Sequence, residues 1–388
     1  MKIAIFDYFL DGVTPMGKKL QLLAPMLAKE HEVTVFSISF DQASSTAVNW
    51  VQLRVPVRRP LLLLFVAYRV LANLFYDLYR LFTGKRYDVV QSAESNLGRR
   101  GIIYSQFCHS YYVKKIWPLL PGKKGIFGLA RRLDHGLRAA LEPATFRRAL
   151  CIVVPSGGLR REMELLYPRH AHKIVVLPNP VNIAKFLRPA DWRDTVRQQW
   201  QIPADRMLFC FVALGHYERK GLILALQALQ NLADQNIGLM IIGGRSNLIA
   251  RYAQLCEEMG IRERVYFSET LKDIRPYLWE SDAFLFPSFY EAFPTSVMEA
   301  AAAGLPVLST PLNGVEDYLV DGHNGLLMER SAEGVTAALR RFLALSPEER
   351  RVMGGRARDS MVQFSEEKFV ERWRAVYARV AGELKMQA

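Results

Sequence analysis

Twelve short apolar runs, most of them rich in β-branched residues, recur along the chain, and the intervals between them carry longer stretches of helical periodicity. This alternation predicts a parallel sheet covered by helices on both faces. In the first half the runs are "KIAIFDY", "EVTVFSI", "YDVVQSA", "GIIYSQF", "CIVVPS" and "IVVLPN"; the second half restarts with "MLFCFVAL", "GLMIIGG", "RVYFSE", "AFLFPS", "PVLST" and "GLLME". At 388 residues, half of them hydrophobic, the chain exceeds what one core organises. The expectation is two doubly wound α/β domains, over 1–180 and 181–365, with a C-terminal helix in 366–388 that crosses back to the first domain. "LPNPVNIAKF" at 177–186 is the expected connection, because its two prolines cannot continue a helix. The opening "MKIAIFDYFL" carries Asp7 within its apolar run and reads as a first strand, not a signal peptide.

Charge is unevenly spread. Residues 1–190 hold 28 Lys or Arg against 12 Asp or Glu, a net of +16, whereas the remainder holds 23 against 26, a net of −3. Such a bias implies an anionic partner for the first half: a membrane surface, a phosphorylated acceptor or nucleic acid. The segment 60–82 is the most hydrophobic, but Arg69, Asp77 and Arg80 interrupt it. It reads as a helix packed on the first sheet or, alternatively, as an interfacial helix lying on a membrane. Arg99, Arg100, Lys114, Lys115, Lys123, Lys124, Arg131 and Arg132 lie near it in sequence. Cys108, Cys151, Cys210 and Cys256 lack the close spacing of a zinc site or disulfide framework, which fits a reducing, cytosolic setting.

Two loops carry the candidate chemistry. "GHYERKG" at 215–221 delivers Arg219 and Lys220 beside a helix expected near Leu222, where fixed cations and backbone N–H groups favour a diphosphate. "SFYEAFPTSVMEAAAAGLP" at 288–306 holds Glu291 and Glu299. One reading makes Ser296 and Glu299 a capping box that starts a helix at Ser296; the other makes this turn, with Pro294 and the compact residues 292–296, a site for a phosphorylated sugar. Ligands of open α/β sheets sit beyond the carboxyl ends of the strands, so both loops are expected on one edge of the second domain. The loops holding Gly12, Gly215 and Gly243 are expected beside the donor. No Asp-x-Asp occurs, and Glu280 with Asp282 reads as a surface pair at a helix-to-strand junction.

Glu291 and Glu299 with seven residues between them, then Gly304, Leu305, Pro306 and Val307, and later "GVEDYLVDGHNGLLM" at 314–328, resemble the motifs of retaining glycosyltransferases of family 4. The resemblance covers about 120 residues from Gly215 onward. It implies the GT-B fold, two facing Rossmann-like domains with a cleft between them, and a nucleotide-diphosphate sugar as donor, UDP- or GDP-linked. It also implies that Arg219 and Lys220 hold the diphosphate, that Glu299 binds the ribose, and that Glu291 with the backbone at Phe293, Pro294 and Thr295 holds the transferred sugar. His109, in "YSQFCHS", takes the place of a catalytic histidine near that sugar. Front-face displacement, no metal and no cofactor are implied. Three departures stand out: "DYFLDGVTPMGKK" lacks the family's glycine pair, His216 stands near the place of a phosphate-binding arginine, and Pro180 replaces a glycine. The expected setting is the inner face of the cell membrane, with a glycan or lipid-linked acceptor, an anionic membrane surface and no nucleic acid as partner. Rival readings are a sugar-nucleotide epimerase of the same fold and a nucleic-acid-binding protein.

Overall fold

The computed structural model describes residues 1–12, 14–41, 46–120 and 125–386; Lys123 and Lys124 fall outside them. The chain divides into two compact units, Met1–Pro180 with Glu366–Ala388, and Val181–Ser365.

The first unit is built on seven strands: β1 (Lys2–Phe6), β2 (Glu32–Ser37), β3 (Asn49–Gln52), β4 (Val89–Ala93), β5 (Gly101–Tyr104), β6 (Ala149–Val154) and β7 (Ile174–Val176). Their order is β3-β2-β1-β4-β5-β6-β7, and every pairing is parallel. Parallel strands need covering on both faces, which accounts for their unbroken apolar character. β3 and the two-residue pairing of Phe9–Leu10 with Ser39–Phe40 were not expected from the sequence. "NWVQ" is an edge strand with both ends exposed and no apolar run to announce it.

Helix α1 (Pro15–Ala28) begins where Thr14 Oγ1 accepts from Gly17 N at 2.9 Å, with Pro15 preset for the first turn. Helix α2 (Leu61–Thr83) buries Leu64, Phe65, Tyr68, Ala72 and Tyr76, a spacing of about four that forms one stripe, and it ends at the left-handed Gly84. Helix α3 (Ile126–Arg148) leads into β6. The C-terminal helix, numbered α6 (Glu366–Met386), belongs to this unit: Phe369, Val370, Trp373, Val376, Tyr377 and Val380 join the core formed by β1, β2 and α1. Each such side chain contributes about 1.5–3 kcal/mol by burial, and Tyr377 adds a hydrogen bond to Gln91 of β4.

The second unit holds β8 (Met207–Val212), β9 (Ile237–Ile242), β10 (Val265–Ser268), β11 (Ala283–Phe286), β12 (Val307–Ser309) and β13 (Gly325–Leu327), in the parallel order β10-β9-β8-β11-β12-β13. Helices α4 (Leu222–Asn231) and α5 (Thr295–Ala302) follow β8 and β11. Both sheets therefore reverse direction beside a central strand, between β1 and β4 and between β8 and β11. Loops leaving those strands diverge there and open a crevice. Glu280 corrects the sequence reading: only 4 % exposed, it accepts from the backbone N–H of Val196 and Arg197, at 3.0 and 2.7 Å, and so anchors the start of the helix Thr195–Gln199. A buried carboxylate at a helix start satisfies donors that would otherwise lack partners.

Candidate active site

At the reversal point of the second sheet, the loop after β8 meets the loop after β11. Gly215 sits in the first of these, and a single helical turn, Tyr217–Lys220, carries Arg219 and Lys220. Gly221 then has φ +78°, and a Cβ there would stand 2.1 Å from the Pro287 carbonyl oxygen. Only glycine lets the two loops approach so closely. Phe289 N donates to Arg219 O at 2.8 Å, and Tyr217 OH donates to Gly243 O at 2.5 Å, tying in the loop after β9.

Arg219 Nη1 donates to Glu291 Oε1 at 2.8 Å and to Tyr290 O at 2.5 Å, while its buried Nε–H finds no acceptor among the described residues. Lys220 Nζ lies 4.0 Å from the same Glu291 oxygen, donates to Val212 O at 3.3 Å, and sits 4.7 Å from the Phe286 ring centre. Burial pulls the Lys220 pKa below the usual lysine range; Glu291 opposes this, Arg219 adds to it, and Glu299 opposes it more weakly. Glu299 is therefore close enough to act on Lys220. Ser288 Oγ donates to Glu291 Oε1 at 3.2 Å, and Thr310 Oγ1 fixes Ser288 O at 2.7 Å.

The capping-box reading does not hold. Helix α5 starts at Thr295, one residue earlier than expected, with Pro294 as N-cap and no side-chain cap. Pro294, at φ −78° and ψ 102°, sets the entry of the chain without a polar cap. Thr295 and Ser296 bring first-turn N–H groups, which have no acceptor within a helix, to the same edge as Arg219 and Lys220. Phe293 turns its ring inward over Gly314, where a Cβ would come within 2.4 Å of it. Its contribution to a ligand is thus its backbone. Tyr217, Ser288 and Thr310 escaped the sequence reading because nothing in their local pattern reveals that they brace the two loops.

The first unit's reversal point has a different character. His109 begins a one-turn helix, His109–Tyr111, and is 6 % exposed. Its backbone N–H and that of Ser110 donate to Glu142 at 2.5 and 3.0 Å. Both ring nitrogens are engaged: Nε2 lies 3.2 Å from Glu94 Oε2 and Nδ1 lies 2.9 Å from His135 Nδ1. Arg138, one turn beyond His135 on α3, adds a contact of 3.4 Å to Glu94. Burial alone would raise Glu94, yet His109 and Arg138 overcome it and hold the carboxyl at about 2. His135 is kept neutral, down at about 3, by burial and then by its neighbour His109. Glu94 has φ 45°, a left-handed backbone that is costly for a residue with a Cβ. Across the reversal, Asn96 Nδ2 donates to Asp7 Oδ1 at 3.0 Å, and burial pushes Asp7 up to about 7. Gly12 lies in the turn before α1. Of this cluster the sequence reading found only His109.

Comparison with known proteins gives a family and a fold. Residues 193–360 match the family described as "Glycosyl transferases group 1", and residues 20–185 match "Glycosyltransferase Family 4". An uncharacterized glycosyltransferase of Methanocaldococcus jannaschii is 24 % identical over 305 residues, 76 % of each chain. The lipopolysaccharide core biosynthesis glycosyltransferase LpsE of Rhizobium meliloti is 29 % identical over 230 residues, 58 % of this chain and 62 % of LpsE, which is less than two thirds of that relative. Among solved structures, WaaG, a glycosyltransferase involved in lipopolysaccharide biosynthesis, superposes with TM-score 0.72 at 19 % identity, covering 95 % of this chain and 98 % of WaaG. Anabaena HepE, solved in complex with UDP-glucose, gives 0.70 at 15 % identity, covering 98 % of this chain and all of HepE. These likenesses establish the GT-B fold.

Proposed function

Because the chain belongs to glycosyltransferase family 4 and is a nucleotide-sugar-dependent enzyme, we propose that it transfers a sugar, with retention of configuration and without a metal ion, from a UDP- or GDP-linked donor to a glycan or lipid-linked acceptor. The product belongs to a cell-surface polysaccharide or lipopolysaccharide, made by an enzyme peripheral on the cytoplasmic face of an anionic membrane. The observation that carries the reading is the convergence of Arg219, Lys220, Glu291 and the start of α5 at one reversal point. LpsE and WaaG support the glycan class by their printed roles, and HepE supports the UDP-sugar.

In this reading the donor diphosphate lies against Arg219 and Lys220 and accepts from the first-turn N–H groups of α5. A diphosphate favours the charged form of Lys220, which burial disfavours. Glu291 and Glu299 accept from sugar and ribose hydroxyls. As the bond from the anomeric carbon to the phosphate oxygen breaks, the acceptor oxygen bonds to that carbon on the same face, and its proton passes to the departing phosphate oxygen. The cations and the helix start stabilise the charge that develops there. His109 is the candidate in the first unit, and its engaged ring nitrogens support a role in orientation rather than proton transfer.

Product analysis tests this. Each UDP- and GDP-sugar is incubated with and without a panel of glycan acceptors, in EDTA and in added divalent metal. Acceptor-dependent transfer of unchanged anomeric configuration, equal in both buffers, is expected. Conversion of the donor without acceptor would return the epimerase reading, and activity restored only by metal would refute metal independence.

A further inference from the structure

Helix α1 buries one stripe, formed by Gly17, Lys19, Leu20, Leu23, Ala24 and Leu27. A helix face against a core is apolar, and every other member of this stripe obeys. Lys19 does not, although it is only 7 % exposed. Its Nζ donates to Gln106 Oε1 at 2.7 Å. That neutral oxygen is its one partner among the described residues, and no Asp or Glu of them pairs with it. Burial alone therefore acts on the ammonium and pulls its pKa down to about 7. A lysine held out of water without a counter-charge is costly, and an apolar side chain of similar length would suit the stripe better.

Gln106 cannot turn to relieve this. Its Oε1 also accepts from Asn179 Nδ2 at 2.9 Å, and Asn179 Oδ1 accepts from the Tyr104 hydroxyl at 3.2 Å. Flipping the Gln106 amide would set its N–H groups against two other donors. Gln106 Nε2 consequently points the other way, buried, and meets no acceptor among the described residues. Both amide oxygens of the network are engaged, whereas the N–H groups of Gln106 Nε2 and the other N–H groups of Lys19 are left over. Both sets of donors adjoin one amide, so covalent geometry places them side by side.

All of these groups lie at the carboxyl edge of the first sheet: α1 follows β1, Gln106 follows β5 by two residues and Asn179 follows β7 by three. His109 is three residues further along the loop that holds Gln106. Ligands of open parallel sheets bind beyond that edge. Gln106 is half-buried, so the network reaches the surface there. The donors also select what they would hold. A sugar hydroxyl brings a single neutral acceptor, and a carboxylate brings two oxygens in one plane. A phosphate monoester brings three strongly accepting oxygens together with the charge that Lys19 lacks, and lysine meets it as a point charge.

We propose that Lys19 and Gln106 form a subsite for a phosphate group carried by the acceptor, at the carboxyl edge of the first sheet. This rests on the transferase reading above and deepens its acceptor side; the donor site in the second unit is unaffected.

The test reads the melting temperature of the full chain in separate titrations with glucose 6-phosphate, inorganic phosphate, glucose and UDP-glucose, because a ligand that binds only the folded state raises it. The wild type is expected to respond to glucose 6-phosphate more strongly than to inorganic phosphate, and not to glucose. Lys19→Met should weaken the affinity for glucose 6-phosphate roughly tenfold or more, the worth of a hydrogen bond to a charged group, and leave the response to UDP-glucose intact. Without ligand this variant should melt at or above the wild type, because the stripe loses an unpaired charge. Lys18→Met, at an exposed position, should change nothing. Earlier melting of Lys19→Met with an unchanged response to glucose 6-phosphate would make Lys19 a brace for the 177–186 connection and overturn the subsite. If the apolar variant proves unstable, Lys19→Gln, which keeps a donor and removes the charge, must lose the same response. No response of the wild type to glucose 6-phosphate would also overturn it. Equal responses to glucose 6-phosphate and inorganic phosphate, both dependent on Lys19, would make this a site for a free anion and overturn the acceptor assignment. A wild type that answers glucose 6-phosphate through Lys19 but does not answer UDP-glucose would uphold the subsite while the donor reading fails.

Discussion

The two reversal points share a topology and differ in how completely their charges are satisfied. In the first unit Glu94, His109, His135 and Arg138 close on one another, with Asp7 and Asn96 alongside. In the second, Arg219 and Lys220 share one carboxylate, Arg219 keeps a donor unmatched among the described residues, and α5 starts without a polar cap. Strand order places a crevice; the residues decide whether it fills itself or waits for an anion. In the function proposed above, the second site receives charge and the first holds a ring still.

The sharpest way to break this contrast is Lys220→Ala. A fixed cation lost from developing phosphate charge should cost roughly 3 kcal/mol, on the order of a hundredfold in kcat/KM. Arg219 still holds Glu291 at 2.8 Å, so the fold should survive, and Lys220→Met, which keeps the apolar stem, should lose as much. Near-normal turnover in both would remove Lys220 from the mechanism.

A smaller effect sharpens the first unit's side. His135 is held down at about 3 when folded, so the unfolded chain takes up its proton first as pH falls. The stability due to its neutral form is complete above about 6.5 and is lost progressively toward 3. Asp7, raised to about 7, acts in the opposite sense: its contribution is full below its unfolded pKa and fades as pH rises toward 7. Comparing wild type with His135→Phe isolates the histidine. The variant's melting temperature, measured relative to wild type, should rise between pH 7 and pH 4.5. Parallel profiles would show that the ring is not held neutral.

The contrast also governed what could be read in the sequence. The six runs of the second half announce six strands, and the "GHYERKG" and Glu291 loops announce their chemistry, because the residues that act together there lie in short stretches. The closed cluster of the first unit draws on positions 94, 109, 135 and 138, and no local pattern connects Glu94 to His135. β3 was hidden because an exposed edge strand needs no apolar run. Glu280 looked superficial because its partners, the N–H groups of Val196 and Arg197, lie more than eighty residues away. The Ser-x-x-Glu signal at Ser296 misled because Pro294 already sets the entry to α5. The leucines of 61–81 were visible, but which of them face outward depends on the packing of Tyr68 and Ala72.

The most direct test is a crystal structure of the chain with UDP-glucose bound. Our account predicts the diphosphate in contact with Arg219 and Lys220 at the start of α5, with Glu291 turned from Arg219 toward the sugar hydroxyls. Well-ordered diphosphate bound at any other edge, with the Arg219–Glu291 pair undisturbed, would contradict it.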